Sequence, residues 1–337
     1  MDFVRLQQET FEHLREGIVD EDALETRYPL DYGNQDFTLS LEYDVSLGAL
    51  DALPIELQQK VLSFLDIKAL LVFRRVSKPA LSLVNTLLEY QKIVMNAPMA
   101  LRMSIAIGMH ENYTISQLFD ALCERGCADC GTLAHYICLF TCSRLCLSQN
   151  GCCPGKLAPR ILLDLPVQDD DGSIQSDMQV ENAPDNWVPE HVPRFTPVPG
   201  TYFVSRPLCK YGSTHTLTKI RPGNVFIDMN AFDNGKKFVS QYIDSEDQVM
   251  NVLYKTISVV VAPWLSKTSM SFECGMQCPG CMEEDREAIS NLSVLQTSIT
   301  PNLDTRVCEI WTKEGLVEHA RRAHGGNDGS QNGHMEL

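Results

Sequence analysis

All but one of the thirteen cysteines of this chain (Cys209) fall in two clusters, at spacings that suit a metal ion better than disulfides. In the first, Cys127 and Cys130 stand two residues apart and are followed by Gly131. That gap lets both thiolates reach one ion while the turn directs backbone N–H groups at the sulfurs. Zinc takes four ligands in a closed structural site, so a second pair is required. Cys142 and Cys146, three residues between them and one helical turn apart, supply it. The eleven residues between the pairs include Leu133, Tyr136, Ile137, Leu139 and Phe140, a composition that fits a hairpin. Cys123, Cys138, Cys152 and Cys153 lie close by, and the rival reading is a set of buried, unreactive thiols.

The second cluster repeats the two-residue turn as Cys278-Pro279-Gly280-Cys281, where Pro-Gly favours a tight bend. Downstream, residues 314–324 read as a helix carrying His319 and His324, a spacing within the range of two-Cys-two-His sites. The intervening thirty-seven residues far exceed the ~12 of a DNA-reading finger, which points to a structural clasp. Cys274 and Cys308 are reserve ligands. Structural zinc at both clusters is therefore the expected cofactor. Eight interleaved ligands with a Cys-x-His step, as a RING would need, are absent. His215 has no Ser or Cys at a nucleophile turn beside it, so no catalytic constellation is expected. A reactive-cysteine enzyme is the rival to that expectation.

Composition narrows the function classes further. A formal net charge of −16 disfavours generic nucleic-acid binding, which needs Lys and Arg to displace counterions from phosphates. The first residues lack the cationic and apolar regions of a secretory signal, and no apolar run is long enough to span a bilayer. Cytoplasm or nucleus is the expected location, and cysteines in a reducing compartment are read as ligands or free thiols.

The elements that position these clusters begin with Leu50–Ile93. Pro54 suits the first position of a helix in which Leu57, Val61, Leu62 and Leu65 recur at helical spacing. A break at Asp66-Ile67 precedes a second apolar run, Leu70, Leu71, Phe73 and Val76. Ser77 then suits the N-cap of a third helix carrying Leu81, Val84 and Leu87-Leu88. Three helices this short bury too little to stand alone and must complete their core against a neighbour.

Leu53-Pro54-Ile55-Glu56-Leu57, Val61–Asp66, Leu70 and Arg75-Val76-Ser77-Lys78 together resemble an F-box, with Pro79 replacing the aromatic residue that often follows the Val-Ser pair. The resemblance implies docking onto the Skp adaptor of a cullin ubiquitin ligase core through Leu53, Pro54, Ile55, Leu57, Val61, Leu62, Leu65, Leu70 and Val76. Cys127-x2-Cys130-Gly131 resembles a zinc knuckle. With Thr141-Cys142-x-Arg144-x-Cys146, Pro199-Gly-Thr-Tyr202 and the Trp311–Glu314 stretch, it is similar to fungal F-box proteins with cysteine-rich segments. Gln149 departs from that pattern, where those relatives tend to place a Cys, so Cys142, Cys152 and Cys153 all stay open as fourth ligand. His324 likewise stands where they often have Cys.

The chain then reads as an acidic extension over 1–49, with twelve Asp and Glu against three Arg, and the helical unit over 50–93. Phe3, Leu6, Phe11, Leu14 and Ile18 mark an amphipathic helix in the extension. A helical connector with the first cysteine cluster follows over 94–160, where Thr114 or Ser116 suits a helix cap. An acidic, Pro-rich loop takes 161–199. A strand-rich domain over 200–325, with runs at 202–204, 214–220, 225–227, 238–243 and 249–261, is closed by the second cluster. The tail, 326–337, has a disordered composition. The expected fold class is α+β: a three-helix F-box, then a zinc-stapled mixed α/β domain with an irregular acidic loop. The resemblance implies a non-catalytic substrate receptor holding an unknown target protein near the ligase, with no nucleic-acid or membrane partner. The alternative is a zinc-binding transcriptional or nucleic-acid-associated regulator.

Overall fold

The computed structural model describes residues 3–8, 21–30, 46–146, 258–281, 283 and 310–324, and the backbone of five short strands between 161 and 228. Residues 3–8 are helical, and α1 is Glu21–Arg27. The rest of the acidic extension, 238–257 and the tail lie outside the described residues, as do Cys152, Cys153, Cys209 and Cys308.

Local chemistry sets the helix starts. Pro54 occupies the N-cap of α2 (Ile55–Ser63), one residue earlier than the sequence suggests. At α3 (Ile67–Arg74) the break at Asp66 is itself a cap, its carboxylate accepting from the Ala69 N–H at 2.7 Å. Ser77 caps α4 (Lys78–Asn85) as expected, accepting from the Ala80 N–H at 3.2 Å. That helix stops short of Leu87-Leu88. Thr86 turns its hydroxyl back onto the Leu83 carbonyl at 2.7 Å, competing with the helical ladder, and Leu87 becomes extended. Leu88 then opens a separate helix, α5 (Leu88–Asn96), followed by α6 (Pro98–Ala106). A reciprocal capping box between Thr114 and Gln117 starts α7 (Ile115–Cys123).

One continuous apolar core runs from Leu24, Leu62, Ile67 and Leu70 through Leu83, Ile93, Leu101 and Leu118 to Ile137 and Val260. The first three helices thus complete their core on the connector, with no break in packing at residue 93. α1 lies on α6, where the buried Arg102 donates to the Tyr28 carbonyl at 3.1 Å and pairs with Glu25 at 2.9 Å.

The residues between the two expected cysteine pairs do fold as a hairpin, β1 (Tyr136–Cys138) and β2 (Ser143–Leu145), with Ile137 opposite Arg144. Of five strands farther on, β3 (Ile161–Leu162) and β4 (Arg194–Phe195) flank β7 (Phe226–Asp228), while β5 (Gly200–Val204) pairs with β6 (Thr216–Ile220). β8 (Val259–Val261) returns to β1, giving an antiparallel sheet of order β2-β1-β8. A second hairpin, β9 (Trp264–Leu265) and β10 (Phe272–Glu273), follows directly.

Arg144 locks this sheet to α7. Its guanidinium is fully buried and donates to the carbonyls of Ala262 at 2.6 Å, Leu122 at 2.9 Å, Ala121 and His135 at 3.3 Å, and Pro263. Two of those carbonyls end α7, where unpaired C=O groups and the helix dipole favour a cation. Burial lowers the Arg144 pKa to about 9. The last helix among the described residues, α8 (Lys313–Ala323), is capped by Thr312. No helix among the described residues is long and apolar enough to cross a membrane.

Candidate metal centres and an exposed helical face

The second cysteine turn and α8 meet as the spacing suggests. Met276 and Trp311 exchange both backbone hydrogen bonds, each at 2.9 Å, which draws the start of α8 against the Cys278–Cys281 turn. Cys281 Sγ lies 3.2 Å from His319 Nε2 and 3.5 Å from His324 Nε2, and Cys278 Sγ lies 3.3 Å from His324 Nε2. A tetrahedral zinc with bonds of about 2.0–2.3 Å sets its ligand atoms about 3.3–3.8 Å apart. The three distances above are close to that spacing and all four ligand atoms lie within 4.8 Å of one another, a group able to hold a metal ion. Five residues of helix would place the two imidazoles on different faces. They nevertheless converge here, with His324 at the C-cap of α8, its φ shifted to −120° while its N–H still donates to the Ala320 carbonyl. Gly280 is required by the ring that results, since a Cβ there would meet the His324 imidazole at 2.8 Å. Trp311 stacks on the His319 ring at 4.6 Å between centroids and fixes its plane.

In the first cluster the structure brings together Cys127, Cys130 and Cys146, again within 4.8 Å of one another. The turn carrying the first two is closed by the Gly131 N–H donating to the Cys127 carbonyl at 2.8 Å, with Gly131 itself left-handed at φ +74°. Cys130 Sγ is 3.7 Å from Cys146 Sγ, the edge expected of two thiolates on one zinc. Burial raises the Cys130 pKa, but hydrogen bonds from Thr132 and the neighbouring thiols outweigh it and bring the group to about 7.

Cys142 does not join them. The three residues before Cys146 form β2, not a helical turn, and four residues of strand span about 13 Å against about 6 Å on a helix. Cys142 sits instead in the hairpin bend at φ 49°, where burial pushes its thiol up to about 12. Cys138 faces Ser258 Oγ at 3.4 Å in the core. Cys138 is buried, Cys142 is half-buried, and neither stands among the three grouped thiols. Cys274 is half-buried and belongs to neither group.

The helical unit presents an apolar face at the opposite extreme of burial. Leu57 and Val61 on α2 and Phe64 at its C-cap follow one another at helical spacing and are 51%, 43% and 71% exposed. Val72 and Val76, one turn apart, add 58% and 71%, and Pro54 is exposed beside them. Leu53, Ile55 and Leu65 are half-buried. Leu62 and Leu70, grouped with them from the sequence, are instead buried in the core of the chain. Helical rotation carries Leu62 inward with Ile55 and Gln59, while its neighbour Val61 faces out. Phe64 and Val72 share this exposed face although the sequence-based set does not include them, and Phe64 stands at i+3 from Val61.

Among known protein families, the F-box domain matches residues 50–92, covering α2, α3, α4 and the start of α5. The match is confined to this helical unit and leaves the rest of the chain without a family. Neither a comparison with curated proteins nor one with solved structures finds a match.

Proposed function

We propose that this protein is a substrate-receptor subunit of an SCF-type cullin ubiquitin ligase. Leu53, Pro54, Ile55, Leu57, Val61, Leu65 and Val76, joined by Phe64 and Val72, dock on the Skp adaptor. The observation that carries this reading is the row of solvent-facing apolar side chains on α2 and α3 within the F-box match. Singly exposed apolar residues are ordinary, but a row of them at helical spacing marks a surface to be covered. The remainder of the chain holds a target protein, and the ligase acts on it through raised effective concentration rather than chemistry by this subunit. Zinc at Cys278, Cys281, His319 and His324, and at Cys127, Cys130 and Cys146 with a fourth ligand, staples that part of the fold.

The test is co-purification of the full chain with the Skp adaptor, followed by native mass spectrometry. A one-to-one complex is expected, lost in Leu53→Ala with Pro54→Ala while the melting curve of the free chain is retained. Undiminished binding by that double variant would remove the F-box assignment. Additional mass equal to two zinc ions reports the metal sites in the same spectrum.

A further inference from the structure

The second metal cage is built on more chain than its four ligands. Residues 3–8 lie against it from the other end of the sequence. Leu6 is buried in a cluster with Met276, Cys278, Cys281 and Leu316, and Phe3 and Trp311 pack at its margin. The Lys313 ammonium stands over the Phe3 ring at 4.5 Å, and Gln7 Nε2 donates to the Cys274 carbonyl at 3.3 Å. Two of the five buried members of this cluster are cage thiols, and a third, Leu316, stands on the helix that bears both histidines. This apolar cluster is separate from the main core. The helical residues 3–8 rest on that surface through Leu6, and most helical stability in proteins comes from such packing of an apolar face rather than from intrinsic propensity.

We infer that the metal centre is the latch for the beginning of the chain: metal binding at Cys278, Cys281, His319 and His324 and docking of residues 3–8 are one coupled equilibrium. This rests on the metal reading proposed above. Among the described residues the turn and α8 meet through the Met276–Trp311 bridge, the Trp311–His319 stacking and the apolar cluster around Leu316, and loss of the ion removes the bonds that would tie the four ligands together. The platform for Leu6 then disperses. By linkage, the docked segment must in turn raise the affinity for metal, since each favours the same assembled state. The latch has a consequence for the surface. Gln7 and Gln8 form one wall of a cleft of about 380 Å³ whose other walls include Pro98, Met99, Val261 and Phe272, so undocking opens that cleft along its length.

The experiment is hydrogen exchange on the full chain, read by mass spectrometry, in zinc-loaded wild type and in Cys278→Ser with His324→Ala. The expected result is at least tenfold faster exchange of residues 3–8 in the variant, with α2–α4 and the β1–β2 hairpin unchanged. The reciprocal measurement is zinc competition against a chromogenic chelator in Leu6→Ala, where at least a tenfold weaker second site is expected. If wild type and the double variant carry the same number of zinc ions, the metal reading itself fails. If the variant has lost one ion but residues 3–8 exchange as in wild type, the cage stands and the latch is wrong. Leu6→Ala with undiminished zinc affinity overturns the latch as well.

Discussion

Val61 and Leu62 are neighbours in sequence and opposites in space: the first faces solvent from α2, and the second is sealed in the core. The helical unit therefore has two separable apolar surfaces. Val61→Asp with Phe64→Asp is expected to reduce adaptor co-purification at least tenfold while leaving the thermal midpoint of the free chain nearly unchanged. Leu62→Ala should do the reverse at source, removing about 2–5 kcal/mol of stability through the cavity it leaves. Any loss of binding in that variant should scale with the unfolded fraction seen by circular dichroism.

The two cysteines flanking β2 should separate cleanly in metal content. Cys146→Ser is expected to lower the zinc count by one in native mass spectrometry. Cys142→Ser should leave it unchanged, because that thiol lies in the hairpin bend. Equal loss in both variants would place Cys142 back among the ligands.

Arg144 has five carbonyl partners on α7, the His135 backbone and the Ala262-Pro263 step. Arg144→Met strands those acceptors and should cost more than about 3 kcal/mol in chemical denaturation. Arg144→Lys should rescue little, since a single ammonium cannot span carbonyls that a planar five-donor fork reaches together.

His135 is expected to make the protein acid-sensitive. Its ring is fully buried beside Trp264, and burial, reinforced by the Arg144 charge, lowers its pKa to about 3 from an ordinary 6.5. Between those values the unfolded chain takes up a proton that the folded chain refuses. Its contribution to stability is therefore complete above pH 6.5 and falls as pH drops toward 3. The steepest slope from this one group is about 1.4 kcal/mol per pH unit. His135→Gln should flatten the pH dependence of the denaturation midpoint over that interval, whatever its effect on the midpoint at neutral pH.

Much of the candidate site was written into local sequence. The Cys278-Pro-Gly-Cys281 turn and the helix with His319 and His324 have the spacing of a ligand set, and the structure brings their ligand atoms together. The Leu-Pro and Val-Ser landmarks likewise marked the F-box, because a short helical unit is specified by caps and spacing that act within a few residues. Local signals failed where the same spacing suits two conformations. Three residues between Cys142 and Cys146 mean one turn in a helix and a long reach in a strand, and only pairing of β2 with β1 decided between them.

The sequence by itself determined the helix starts at Asp66, Ser77 and Thr114, the paired-thiol turns, and the apolar periodicity of α2. Each depends on contacts within one or two turns of chain. Tertiary structure alone decided which leucines face inward, that Val259–Val261 completes the sheet begun at Tyr136, that Arg144 is a buried clamp, and that Leu6 lies against the second cage. Those outcomes depend on surfaces brought together across more than a hundred residues, and their energies appear only when water is excluded between them.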